Sequence, residues 1–227
     1  MRLIIFGPPG SGKGTYAFRI MQPLGIAKIS TGDIFREERD KGTSLGKYAD
    51  QFMRRGELVP DDVVIDVLKR RLQEPDAERG FVLDGYPRTV RQAEALDEMT
   101  KIDAVINLII PEEILVEKLA ARRTCQNCGD LYNVADINRK VEGVTYVLPP
   151  MLPKKPGICD KCGGKLVQRE DDRPEVIRER LGVYERQSKP VVAHYKGKVP
   201  FIDIHVNRPP DEVTRRILRE LAKLGRM

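Results

Sequence analysis

The run Gly7-Pro8-Pro9-Gly10-Ser11-Gly12-Lys13-Gly14-Thr15 constrains this chain more than any other feature of it. It follows the apolar stretch Arg2 to Phe6 and leads into a helical pattern carrying Thr15, Ala17, Phe18, Ile20 and Met21, which is expected to stop before Pro23. A turn between a buried strand and a helix aims backbone N–H groups and the helix's positive end at one point, a seat for an anion. Glycines let the backbone curl against phosphate oxygens with no Cβ in the way. Lys13 adds a mobile charge that can follow a terminal phosphate. The spacing Gly7-x4-Gly12-Lys13 fits the general phosphate-loop pattern, with Gly10, Ser11, Gly12, Lys13, Gly14 and Thr15 around a nucleoside triphosphate.

The loop departs from the general pattern in one place. Gly14 stands after the lysine, where Ser or Thr is usual, and Thr15 comes one position later. The hydroxyl that would bind Mg²⁺ directly is missing from its place. The cation then depends on phosphate oxygens, water and a carboxylate elsewhere. Asp84 is the candidate, because it ends a core strand and open α/β sheets bind ligands at the carboxyl ends of their strands.

Further apolar strands read at Gly80 to Asp84, Ala104 to Ile110 and Phe201 to Val206, with a brief one at Lys28 to Ser30. Helical patterns lie between them at Asp61 to Leu72, Glu112 to Ala121, Pro174 to Tyr184 and Pro210 to Leu224. This alternation implies an α/β fold, a parallel sheet flanked by helices in three layers. Two stretches interrupt it. Residues 30–59 are helical and polar, with Gly32, Gly42, Gly46 and Gly56 as hinge or turn candidates; residues 124–163 hold all four cysteines together with Pro149, Pro150, Pro153 and Pro156. The expected division is a core of residues 1–29, 60–123 and 164–227 with two inserted lobes, 30–59 and 124–163.

Cys125-Gln126-Asn127-Cys128-Gly129 and Cys159-Asp160-Lys161-Cys162-Gly163 are matching knuckles, each able to turn two thiolates toward one ion. The loop 129–158 between them exceeds the ~15–20 residues of common zinc ribbons. Zn²⁺ on Cys125, Cys128, Cys159 and Cys162 is the first reading; a redox pair and an Fe–S cluster are the alternatives. Four thiolates leave no open coordination position, so such a metal is structural.

A net charge of +6 fits a solvated surface or a polyanion partner equally. The early Gly7-Pro8 break excludes a signal-peptide reading, and no apolar run reaches the ~18 residues of a membrane span. A cytoplasmic monomer that binds neither membrane nor nucleic acid is expected. The two histidines, His194 and His205, sit in no motif.

Several segments together resemble adenylate kinase, nearly from end to end: Gly7 to Thr15; Ser30-Thr31-Gly32-Asp33 with Arg36; Asp84-Gly85-Tyr86-Pro87-Arg88 with Gln92; Arg122-Arg123; and Asp171-Asp172-Arg173-Pro174. The resemblance implies reversible transfer of the γ-phosphoryl group of MgATP to AMP, giving two ADP. It also implies a nucleoside-monophosphate lobe at 30–59 and a zinc lid at 124–163 that closes to exclude water. On this footing Lys13, Asp84, Arg88, Arg122, Arg169 and Arg180 serve catalysis, and Arg122 and Arg208 join the loop in binding ATP. AMP falls to Thr31, Arg36, Glu57, Val59, Gly85, Arg88, Gln92, Arg169 and Arg180. Lys118 stands where the family often has an arginine against the ATP base, which weakens stacking there. The alternatives are another monophosphate acceptor, such as UMP, CMP or GMP, and a nucleotide-regulated nucleic-acid-binding module.

Overall fold

A computed structural model describes residues 1–225. Among these, five strands form one sheet: β1 (Arg2–Phe6), β2 (Ala27–Ser30), β3 (Phe81–Asp84), β4 (Ala104–Ile109) and, last in the chain, Phe201–His205. The order runs from Phe201–His205 through β4, β1 and β3 to β2, with every neighbouring pair parallel. Both faces are covered, as an all-parallel sheet requires. Side chains alternate across β1. Leu3 and Ile5 join one buried cluster with Ala17, Ile20, Leu115 and Ile217, while Ile4 and Phe6 join a second with Leu68, Leu96 and Val191.

The flanking helices are α1 (Lys13–Leu24), α2 (Thr31–Asp40), α3 (Ser44–Met53), α4 (Asp61–Leu72), α5 (Val90–Met99) and α6 (Glu112–Ala120). Helix α1 runs through Pro23 instead of stopping before it. Gly25 closes the helix beyond the proline: its N–H reaches Gln22 O and the Ile26 N–H reaches Met21 O, both at 3.1 Å. Helix α5 is additional to the sequence expectation. Thr89 caps it by accepting from the Gln92 N–H at 3.1 Å. Helices α2 and α3 pack so closely that a Cβ on Gly46 would lie 2.1 Å from Arg39 N. A glycine is needed there for the approach itself.

The cysteine region holds two small sheets. One is β5 (Arg122–Cys125) between β6 (Leu131–Asn133) and β9 (Leu166–Val167); the other is the hairpin β7 (Ile137–Val141) with β8 (Val144–Leu148). The first reaches past residues 124–163 at both ends. It carries its own small cluster of Cys125, Tyr132, Cys159 and Leu166. The hairpin does not belong to that cluster. Ile137, Val141, Tyr146 and Leu148 are buried with the main core, and the Val147 N–H donates to Asn207 O at 3.1 Å. Arg139 adds an ion pair to Glu117 of α6 at 2.7 Å. One stretch between the knuckles is therefore part of the core.

The C-terminal part comprises α7 (Pro174–Val183), a π turn (Tyr184–Ser188), α8 (Pro190–Tyr195), β10 (the strand Phe201–His205) and α9 (Pro210–Leu224). No helix among the described residues is long and apolar enough to cross a membrane.

Candidate active site

The loops at the carboxyl ends of β1, β2 and β3 open into one cleft of about 2020 Å³, walled on its other side by the knuckle lobe. β1 lies between β3 and β4, so its loop sits where the chain switches direction across the sheet, the usual ligand site of such folds. Gly10, Gly12, Lys13, Gly14, Thr15, Asp84, Arg88, Arg122, Arg169 and Arg180 all line this cleft. Lys13 donates to Gly7 O at 2.7 Å and to Pro8 O at 2.9 Å. Desolvation holds its ammonium down to about 7; Arg88, Arg180 and Arg122 push the same way, and Asp84 opposes them. Ser11 is fully buried behind the loop, and its hydroxyl has no hydrogen-bond partner among the described residues.

Two of the expected ATP contacts fall outside the cleft lining. Ser11 is one. The other is Arg208, whose guanidinium donates to Thr145 O at 2.8 Å and to Asn207 O at 2.9 Å, so it ties the β7–β8 hairpin to the loop after β10. Lys118 does line the cleft, and desolvation holds it down to about 8. Of the histidines, His194 pairs with Asp97 at 2.7 Å, and neither it nor His205 lines the cleft.

The residues the resemblance links to AMP gather around a second cavity of about 120 Å³. Its lining includes Thr31, Arg36, Glu57, Val59, Gly85, Arg88, Gln92 and Arg180. Thr31 Oγ1 donates to Gly85 O at 3.1 Å, which ties the start of α2 to the segment after β3. Arg88 donates from Nε to Gly85 O and from its backbone N–H to Gln92 Oε1, both at 2.8 Å. Gln92 donates to Asp61 Oδ1 at 2.7 Å. Glu57 pairs instead with Arg55 at 2.7 Å. Arg169 lines the larger cleft but not this cavity.

The arginines are held in unequal ways. The fully buried Asp172 carboxylate accepts from Arg122 Nε at 2.8 Å and Nη2 at 2.5 Å, and from Arg180 at 3.2 Å. Arg180 also reaches Asp171 Oδ2 at 3.0 Å. Desolvation lowers Arg122, but Asp172 and Asp171 outweigh it and raise the guanidinium above its ordinary value. Arg88 and Arg169 have no carboxylate within ion-pair distance among the described residues. Arg169 donates to Thr124 Oγ1 at 2.9 Å. Desolvation, with Arg180 adding, pulls Arg88 down to about 10, and desolvation with Arg36 and Arg122 adding pulls Arg169 well below its ordinary value. Cations crowded in this way favour a polyanion among them. Asp171 and Asp172 carry the resemblance in the sequence with no role of their own; here they aim the arginines. The signal in the sequence was an acidic pair beside a helix rich in arginine.

Two metals are implied, and the structure offers a fit for each. A Cβ on Gly14 would sit 3.1 Å from Asp84 Oδ2, so the glycine leaves open the space in front of that carboxylate. This suits a hydrated cation between Asp84 and bound phosphates. The four cysteine sulfurs lie within 4.8 Å of one another. Cys125–Cys162 and Cys128–Cys159 separations are 3.4 and 3.6 Å. A tetrahedral ZnS₄ site with its usual bond length puts sulfurs ~3.8 Å apart, so the donor set and its size fit Zn²⁺. Tyr132 donates to Cys159 Sγ at 3.7 Å and accepts from the Asp160 N–H at 2.8 Å, which locks the second knuckle.

Comparison with known proteins agrees with this geometry. The family model for adenylate kinase matches residues 5–199. The chain is 48% identical over 229 residues to an adenylate kinase of Archaeoglobus fulgidus, covering 99% of both chains. It is 46% identical over 228 residues to one of Streptomyces coelicolor, with 98% of this chain and 99% of the relative covered. A third, from Methanocella arvoryzae, is 45% identical over 230 residues, covering 99% of this chain and all of the relative. A phosphate loop, crowded arginines on two adjoining cavities and similarity along nearly the whole length point the same way: the chain belongs to the adenylate kinase family.

Proposed function

We propose that the enzyme transfers the γ-phosphoryl group of ATP to AMP, reversibly, with ATP on the phosphate loop and AMP in the smaller cavity. The carrying observation is the arginine cluster between the two, with Arg88 and Arg169 left without carboxylate partners. An oxygen of the AMP phosphate attacks the γ-phosphorus, and the bond to the β–γ bridging oxygen breaks, so one ADP leaves and a second forms. The acceptor phosphate is itself the nucleophile, so no general base is needed, which matches a cleft without histidine.

The chain's task is then positioning and charge neutralisation. Lys13 and the loop N–H groups hold the donor phosphates. Arg36 and Arg88 hold the acceptor, and Arg122, Arg169 and Arg180 neutralise the group in transit. Arginine's fork grips phosphate bidentately, which lysine does not. Mg²⁺ bound with ATP supplies further neutralisation of the phosphate oxygens, and Asp84 would hold it through water. The sheet β6–β5–β9 with its four cysteines, stapled by Zn²⁺, acts as a lid that carries Arg122 and Arg169 and excludes water when closed. The β7–β8 hairpin, buried in the core cluster, supports a lid smaller than residues 124–163.

The test is ADP formation from ATP with AMP, UMP, CMP and GMP in turn, and with Arg88→Ala as control. AMP is expected to be the preferred acceptor, and Arg88→Ala to lose at least ~10²-fold in kcat/KM. Preference for another monophosphate refutes the substrate assignment.

A further inference from the structure

Lys28 has no part in the reaction outlined above, yet its ammonium lies between two carboxylates at the cleft. It projects from β2, with its side chain 21% exposed. Its Nζ is 2.8 Å from Asp33 Oδ2 and 3.9 Å from Asp84 Oδ2. Asp33 opens α2 and also pairs with Arg36; Asp84 ends β3 and faces the space that Gly14 leaves free. One flexible cation therefore bridges a strand, a neighbouring strand's end and the first turn of a helix, on the side of the cleft where the phosphate loop lies.

We propose that Lys28 is a positioning residue that keeps Asp84 from holding a divalent cation until nucleotide phosphates arrive. This rests on the reading that Asp84 organises the Mg²⁺ bound with ATP. In the nucleotide-free cleft the ammonium offsets part of the negative charge of Asp33 and Asp84 and repels a second cation a few ångströms away. Triphosphate brings enough negative charge to outweigh that repulsion, so the metal enters with the nucleotide and not ahead of it. Lysine suits the task because its long stem lets the charge move aside while the strand stays in place. The pairing also holds Asp33 beside Arg36, at the edge of the smaller cavity.

The experiment reads metal affinity directly. Mn²⁺ binding to the purified enzyme, with and without ATP, is followed by electron paramagnetic resonance for the natural chain, Lys28→Gln, Lys28→Met, Lys28→Arg and Asp84→Asn. Both neutral variants are expected to bind Mn²⁺ roughly five- to tenfold more tightly without nucleotide, with a smaller gain when ATP is present. Lys28→Arg is expected to behave as the natural chain does. Asp84→Asn is expected to weaken Mn²⁺ binding to the ATP complex. If Asp84→Asn does so while both neutral variants bind Mn²⁺ as the natural chain does, the Lys28 proposal is overturned and Asp84 keeps its role. If Asp84→Asn has no effect, the reading of Asp84 fails first, and this proposal fails with it. Thermal melts of each variant identify a fold defect, and the two neutral variants check one another.

Discussion

Arg122 meets Asp172 with its guanidinium fork, Nε to Oδ2 at 2.8 Å and Nη2 to Oδ1 at 2.5 Å, across the junction between the small sheet and α7. The carboxylate is fully buried, and Arg180 shares one of its oxygens. One anion thus sets the direction of two cations, which fixes where a transferring phosphoryl group would be met.

Removing that anion should cost both stability and turnover. In Asp172→Asn, two guanidiniums lose their common anchor and repel each other more strongly. Breaking a buried pair typically costs about 3–5 kcal/mol. A fall in melting temperature of several degrees is expected, with kcat down ~10²-fold and KM for either nucleotide changed much less. An unchanged kcat would show that the arginines keep their aim without Asp172.

The protonation of Lys13 offers a calorimetric signature. Desolvation holds it down to about 7 in the empty cleft, below its ordinary value. Bound phosphates restore the charge, so nucleotide binding must take up a proton at a pH above that value. Near pH 8 the uptake should approach about one proton per site, and it should vanish near pH 6, where the free enzyme is already protonated. The same displacement means the unfolded chain binds more protons than the folded one between about 7 and the ordinary lysine value, so stability rises with pH across that window. Titrations in buffers of different ionisation enthalpy measure the uptake. Lys13→Arg, always charged, should abolish it.

The two halves of the cysteine region should respond differently to damage. Purified enzyme is expected to hold about one zinc per chain, and Cys162→Ser or chelation should release it and unfold β6–β5–β9. The β7–β8 hairpin should keep its slow amide exchange, because Ile137, Tyr146 and Leu148 are buried in the main core. Tyr146→Ala should instead lower global stability by about 3–5 kcal/mol while leaving the zinc in place. Simultaneous loss of hairpin protection on chelation would show that the whole segment moves as one.

Much of the fold is legible because short apolar runs between turns have one reading. Arg2 to Phe6 and Ala104 to Ile110 are too short for buried helices and too apolar for loops. The loop and the knuckles are legible because their chemistry depends on residues adjacent in the chain. What escaped depends on partners distant in sequence. Helix α5 buries little beyond Gln92, Ala93 and Leu96, too weak a stripe to register as a pattern. Pro23 reads as a stop, but the Gly25 closure sets the helix end. Tyr146 and Leu148 alternate as strand residues do, yet nothing local says that they, with Ile137 and Val141, pack on the main core. Asp172 and Lys28 acquire meaning only once the carboxylates and arginines of separate segments share a cleft.

Gly46 offers a way to separate stability from recognition in the α2–α3 pair. It lies in α3 where α2 crosses, and a Cβ there would meet Arg39 N at 2.1 Å and Glu38 C at 2.2 Å. These are backbone atoms, so no side chain can rotate away, and the two helices must separate. Gly46→Ala should therefore cost about 3 kcal/mol, at the upper end of ordinary overpacking. The displacement acts on α2, which carries Thr31 and Arg36 into the smaller cavity. KM for AMP should rise several-fold at temperatures well below the melting point, while KM for ATP, set by the loop on β1, stays within about twofold. Initial rates against each substrate in turn decide it; an equal rise in both constants would mean that α2 does not position AMP separately from ATP.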